Sequence, residues 1–143
     1  MSPLTRLRRG FAMTLTPNMK TLLVAILEEV RRLEAVPDKP PPGVERLGWW
    51  ALWHERKEYD QFGVRHDLAR WLGHAPTPSE SAVLSRTLRN MEDLDLLARI
   101  SRWGGRRATH VQLTALGRAE AEKIAWDDEQ GLALEGERTC GNP

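Results

Sequence analysis

Apolar residues recur along this chain at helical spacing, and the breaks between them mark out elements. Leu22, Leu23, Ile26, Leu27, Val30 and Leu33 form one broad stripe. Their 3.6-residue period predicts a helix from Thr16-Pro17 to about residue 35, with the Thr hydroxyl free to cap the first backbone donors and the Pro supplying a preset φ. Pro37-Asp38-Lys39-Pro40-Pro41-Pro42-Gly43 ends it, because proline removes backbone donors and pushes the preceding residue toward extended conformations. Two placements fit this first helix. It is either the opening helix of a domain that carries residues 37–62 as an insertion, or a separate dimerisation helix. Beyond the prolines, Trp49, Leu52 and Trp53 fall on one helical face within Leu47 to Tyr59. Val64, Leu68, Ala69 and Leu72 make a further stripe that stops at Gly73, a residue suited to a left-handed helix end.

A second Thr-Pro start, Thr77-Pro78-Ser79-Glu80, adds a Glu that can reach back to the cap. It opens a helix with Leu84, Leu88 and Met91 on its apolar face and Val83 adding width, which leaves Ser81, Ser85, Arg86, Arg89 and Asn90 elsewhere. The period then changes from 3.6 to two. Leu97 to Trp103 alternates around Ala98 and Ile100, Gly104-Gly105 allows a tight reversal, and Thr109 to Leu113 returns. Val111 and Leu113 share a face and are expected to pair with Ala98 and Ile100 over the core. Thr114 can cap a last helix whose Leu116, Ala121, Ile124 and Ala125 would cover the same core. The predicted fold is mainly α with one small β-hairpin, an α+β arrangement. Supporting helix, recognition helix and a hairpin acting as a wing, in that order, form a winged helix-turn-helix.

The polar positions suggest what this arrangement could touch. Arg can bond guanine bidentately, Asn can read adenine, and Ser hydroxyls take phosphates or base edges. Ser79, Ser81, Ser85, Arg86, Arg89 and Asn90 on the helix are therefore candidate DNA contacts, together with Arg102, Arg106 and Arg107 at the hairpin. Those last three lie within six positions with no acid among them, which favours phosphate or minor-groove contact. The alternative for the helix is an ordinary solvated amphipathic surface. The formal net charge of +1 gives no argument for nucleic acid; its distribution does. Residues 64–119 hold nine Lys and Arg against five Asp and Glu, whereas residues 120–143 hold two against seven.

The order Leu84-Ser85-Arg86-Thr87-Leu88, Met91-Glu92, Leu96-Leu97-Ala98-Arg99 and Leu113-Thr114-Ala115-Leu116-Gly117 resembles the MarR-like winged-helix pattern, over roughly residues 64–124. The match is to the broad superfamily, PadR-like regulators included. That family usually carries a Ser-Arg pair in its recognition helix, a Gly-Leu step before the wing and a Leu-Thr-x-x-Gly step after it. Here Asp95-Leu96 replaces Gly-Leu, and Gly104-Gly105-Arg106-Arg107 replaces the familiar Asp-Arg pair of the wing. Asp tolerates left-handed backbone better than most residues. The resemblance implies DNA binding and a homodimer that presents two recognition helices to successive major grooves.

At 143 residues with 41% hydrophobic content, the chain suffices for one domain with a continuous core. We expect that domain at 16–126, preceded by a basic arm over residues 1–15, either disordered or touching phosphate, and followed by an acidic flexible tail over 127–143. Cys140 is the only cysteine and the four histidines show no metal-motif spacing, so no metal or cofactor is expected. No phosphate-binding glycine loop and no nucleophile elbow occurs, which argues against an enzyme. Without a signal-peptide apolar region or a membrane-length run, a cytoplasmic location is expected. Trp49, Trp50 and Trp53 fit core packing, a dimer surface or a ligand pocket. The expected function is sequence-specific binding of double-stranded DNA in transcription regulation, compatible with a small-molecule effector. The rival is a winged-helix protein-interaction module that uses the Trp-rich segment to grip a partner without reading DNA.

Overall fold

Around a central helix, α1, Pro17–Glu34, the chain wraps α2, Arg46–Phe62, a two-residue strand β1, Val64–Arg65, and a one-turn helix α3, Leu68–Leu72. It continues through α4, Pro78–Asp93, the strands β2, Leu97–Ile100, and β3, His110–Leu113, and ends in α5, Ala115–Cys140. The computed structural model describes residues 14–37 and 46–140. The basic arm with Arg6, Arg8 and Arg9, and the prolines at 40–42, lie outside the described residues.

Local chemistry sets the helix starts. The backbone N–H of Met19 donates to Thr16 Oγ1 at 3.2 Å, and that of Arg70 to Asp67 Oδ1 at 3.1 Å. At α4 the reciprocal box is complete: Glu80 N–H donates to Thr77 Oγ1 and Thr77 N–H to Glu80 Oε1, each at 3.1 Å. Each such cap satisfies donors that the first turn leaves without partners. Gly73 closes α3 with φ of 80°.

The apolar stripe of α1 is consumed inside the chain. Leu22, Leu23 and Ile26 are wholly buried, and Leu27, Val30 and Leu33 nearly so, against α2, α3, α4, α5 and β1. At about 1.5 to 3 kcal/mol for each fully buried aliphatic side chain, this stripe is the largest apolar contribution from any one element. Of the two placements open to this helix, it is the domain's own core helix. Ion pairs then fasten neighbours to it. Arg118 of α5 donates to both oxygens of Glu34, at 2.8 and 3.0 Å. Glu29 accepts from Arg32 and from Arg70 of α3.

The three strands form an antiparallel sheet in the order β1-β3-β2. Three differences from the sequence reading have local causes. Val64 does not begin a helix. It pairs with Val111, and Arg65 with His110, so the supporting helix shrinks to five residues that bury Leu68 and Trp71. Next, the hairpin faces are exchanged. Leu97 sits opposite Leu113 and Arg99 opposite Val111, while Ala98 and Ile100 sit opposite Gln112 and His110. A one-residue shift in register carries every side chain to the other face, and Leu97 rather than Ala98 or Ile100 is buried. Finally, α5 continues to Cys140, so the stretch from 127 to 140 is helical where the composition pointed to a flexible tail. Up to Gly136 that stretch holds Glu129, Gln130, Leu132, Ala133, Leu134 and Glu135, all strong helix formers, and they outnumber the poorer Asp127, Asp128 and Gly131.

Glycine is required at two positions. A Cβ on Gly117 would run into the backbone carbonyl of Leu96, and one on Gly63, at φ of 104°, into that of Val111. Gly117 thereby lets α5 lie directly on the loop that precedes β2.

Candidate nucleic-acid interface

The loop between α4 and β2 sets the angle at which the hairpin leaves the helix. Asp95, standing where the resemblance places a glycine, is left-handed with φ of 62°. Its carbonyl accepts from Thr114 Oγ1 at 2.6 Å, and Thr114 Oγ1 in turn accepts from Gly117 N–H at 2.9 Å. Thr114 N–H donates to Leu96 O at 3.1 Å. The Leu-Thr-x-x-Gly step is thus a clasp that ties the start of α5 to the end of α4. Glu92 adds a second tie. Its carboxylate accepts the backbone N–H of Arg99 at 2.9 Å and the guanidinium at 3.0 and 3.2 Å. The Arg99 backbone N–H, helped by the guanidinium, holds the Glu92 carboxyl below the usual carboxylate range.

With the hairpin fixed, the surface of α4 divides into strips. Leu84, Leu88 and Met91 face inward with Thr87, whose hydroxyl donates to Val83 O at 2.9 Å. Ser81, Ser85 and Arg89 face the hairpin, where an open groove of about 450 Å³ runs between the helix and the hairpin. Arg106, Arg107 and Ala108 form its far wall, and Arg99, His66 and Leu68 also line it. Ser79, Arg86 and Asn90 are exposed and lie on the neighbouring strip, at intervals of seven and four residues that helical geometry aligns. Arg86, Arg89, Arg106 and Arg107 make no ion pair with any described residue. A guanidinium offers five donors, so Arg89, Arg106 and Arg107 present open donors at the groove and Arg86 adds its own on the adjoining strip.

Of the nine candidate contacts, five converge on the groove, three share the adjoining strip, and one is elsewhere. Arg102 donates to Glu58 of α2 at 3.0 Å, and its guanidinium lies 4.9 Å from the Phe62 ring centroid and 4.6 Å from that of Trp103. It braces the hairpin base against α2 and is not among the groove residues. The same Glu58 accepts from Arg65 and lies 3.5 Å from His110 Nε2. Burial pushes the Glu58 carboxyl up, but hydrogen bonding and charge from Arg65 outweigh it and hold the group low.

Three residues of the surface escape the sequence reading. Val83, assigned by its spacing to the buried face, is 43% exposed. It falls four residues after Ser79 and three before Arg86, so it belongs to their strip, and that offset was its only signal. Arg99, which the sequence reading places only within the Leu96-Leu97-Ala98-Arg99 segment, and His66 line the groove and are not among the candidate contacts. Burial pushes the His66 imidazole below its ordinary value, and Arg107 and Arg99 add to that, so the ring is neutral near pH 7. Its backbone N–H is satisfied by Thr109 O at 2.9 Å.

Within α2, Trp49 is buried with its indole N–H donating to Pro37 O at 3.2 Å. Trp50 and Leu52 are 46% and 42% exposed, and the rings of Trp50 and Trp53 meet edge to face at 5.3 Å. Among the described residues no helix is long and apolar enough to cross a membrane, and no group of three or more His, Cys, Asp and Glu side chains is placed to hold a metal ion. No family model, no curated protein and no solved structure matches the chain.

Proposed function

We propose that the protein is a sequence-specific double-stranded DNA-binding regulator of the winged helix-turn-helix kind, in which α4 is the recognition helix and the β2–β3 hairpin the wing. The observation that carries this reading is the convergence of Arg89, Arg106 and Arg107 with Ser81 and Ser85 on one open groove, none of the three arginines forming an ion pair with an acid among the described residues. Unneutralised guanidinium groups on a concave surface gain most from a polyanion, since each phosphate bound releases condensed counterions. The adjoining strip of Ser79, Val83, Arg86 and Asn90 carries the types that read base edges. The two strips divide the work: the groove holds a sugar-phosphate strand, and the outer strip enters the major groove. The Thr114–Gly117 clasp and left-handed Asp95 give the MarR-like resemblance a physical content, since both serve to set the angle between helix and wing.

The regulator acts as a homodimer on a two-fold site. Its dimer surface is not the apolar face of α1, which is buried within one chain. Sedimentation at working concentration tests this part, and a monomer that is stable to concentration would overturn it.

A second reading, a protein-interaction module without DNA specificity, is favoured by the exposed Trp50 and Leu52. Charge reversal separates the two. Arg86→Glu combined with Arg89→Glu abolishes DNA binding under the first reading and leaves every activity intact under the second.

A further inference from the structure

Val83 is the one large apolar side chain on the exposed surface of α4. The other outward positions carry Ser79, Ala82, Arg86, Arg89, Asn90 and Asp93. The β-branched side chain loses χ1 freedom in a helix and gains nothing there by itself. Nor does its side chain complete the core, which Leu84, Leu88 and Met91 close on the adjoining face of the helix while Val83 stays exposed. Its position is informative: one turn after Ser79 and one turn before Arg86, away from the groove that faces the hairpin.

Resting on the DNA reading above, we propose that Val83 is a specificity residue that packs on the C5-methyl group of a thymine in the major groove. Thymine alone among the four bases presents an apolar group there, and an aliphatic side chain is its natural contact. Three residues of α-helix advance about 4.5 Å, close to the roughly 3.4 Å step along one DNA strand. Val83 and Arg86 therefore address neighbouring base pairs, and each half-site holds a guanine read by Arg86 beside an A·T pair whose methyl meets Val83. The hairpin-facing strip contributes no sequence preference, because phosphates occupy it.

The test uses the full-length protein and the duplex it selects from random sequence. Each thymine of that duplex is replaced in turn by deoxyuridine, which removes the methyl group and no hydrogen-bonding atom. Burial of one methyl-sized group corresponds to a roughly fourfold change in affinity. Wild-type protein should bind about fourfold more weakly when one particular thymine in each half-site is demethylated. Val83→Ala, which places the best helix former at this position, should bind the thymine and uracil duplexes equally while keeping its melting temperature and salt dependence. Arg86→Ala should lose its guanine preference at the adjacent pair yet remain sensitive to the methyl. Specific binding to a site in which no thymine is methyl-sensitive overturns the assignment of Val83, as does a Val83→Ala variant that stays as methyl-sensitive as wild type. Failure to bind any duplex overturns the DNA reading itself and the assignment with it.

Discussion

Two regions of this molecule use arginine in opposite ways. Around α1 and α2, Arg32, Arg56, Arg65, Arg70 and Arg118 each hold a carboxylate, on Glu29 and Glu55, Asp60, Glu58, Glu29 and Glu34 respectively. Around α4 and the hairpin tip, Arg86, Arg89, Arg106 and Arg107 hold none among the described residues. Of the first set, Arg32, Arg65, Arg70 and Arg118 each reach a carboxylate on another element, and Arg56 holds one within α2. The second is left free at the surface, where its donors can only be satisfied by water or by a partner. Composition treats all nine residues alike; what separates them is whether the fold brings an acid within reach. Arg99 and Arg102 mark the boundary, since both sit in the hairpin and both are claimed, one by Glu92 and the other by Glu58.

If this contrast is functional, disturbing the open set should change binding without changing stability, and disturbing the paired set the reverse. The largest effect is expected for Arg86→Glu with Arg89→Glu. Loss of base and phosphate contacts, worth about 1 to 3 kcal/mol for a bidentate base contact alone, together with repulsion from the backbone, should weaken DNA affinity at least on the order of a hundredfold. Chemical denaturation should show a stability change within about 0.5 kcal/mol, as for other exposed positions. An equal loss of stability would show that these arginines are structural.

Glu58→Ala makes the opposite test. It strips Arg65 and Arg102 of their acceptor and leaves buried His110 without a nearby carboxylate. We expect a loss of about 1 to 2 kcal/mol in denaturation, discounted because both arginines are partly exposed. The sign with pH follows from the lowered Glu58 carboxyl. Its stabilisation is present above the ordinary carboxylate range and is lost as pH falls through the depressed folded value. Wild type should therefore lose more stability than Glu58→Ala on acidification, and parallel curves would remove Glu58 from its role.

A smaller effect separates the hairpin from the helix. Replacing Arg106 and Arg107 together by Ala should lower the magnitude of the salt slope by roughly two units while base preference is unchanged. An altered preference with an unchanged slope would contradict the division into two strips. The smallest effect concerns His66. Burial depresses its pKa in the free protein, and a phosphate in the groove would stabilise the imidazolium and raise it. Binding would then take up a proton, so affinity should rise as pH falls through the bound-state value and level off below the depressed value of the free protein, by no more than roughly tenfold for each unit by which the pKa rises on binding. His66→Gln should flatten that profile.

How much of this could be read from residues alone depends on length and on distance along the chain. The 18-residue α1 and the 16-residue α4 repeat their apolar period several times and open on Thr-Pro caps, so both stand out. β1 has two residues, too few to display any period, and it is defined by pairing with Val111 and His110 much later in the chain. The exchanged faces of the hairpin have the same origin, because Leu97-Ala98-Arg99-Ile100 permits either alternation and only the docking of Leu97 into the core selects one. Serines and arginines of α4 and the hairpin tip were legible as a surface chemistry. Arg102 was not, since its partner Glu58 lies 44 residues earlier. Val83 was misread for a geometric reason: it is one position from Leu84, and a helical stripe widened by 100° includes it when the packing does not.

The most direct measurement is selection of random double-stranded DNA by the purified full-length protein, followed by titration of the recovered site across salt concentrations. The account predicts an enriched two-fold sequence bound with an affinity that falls steeply as salt rises. Recovery of no preferred sequence, with weak binding that is insensitive to salt, would contradict it and turn attention to Trp50 and Trp53 as the surface that holds a partner.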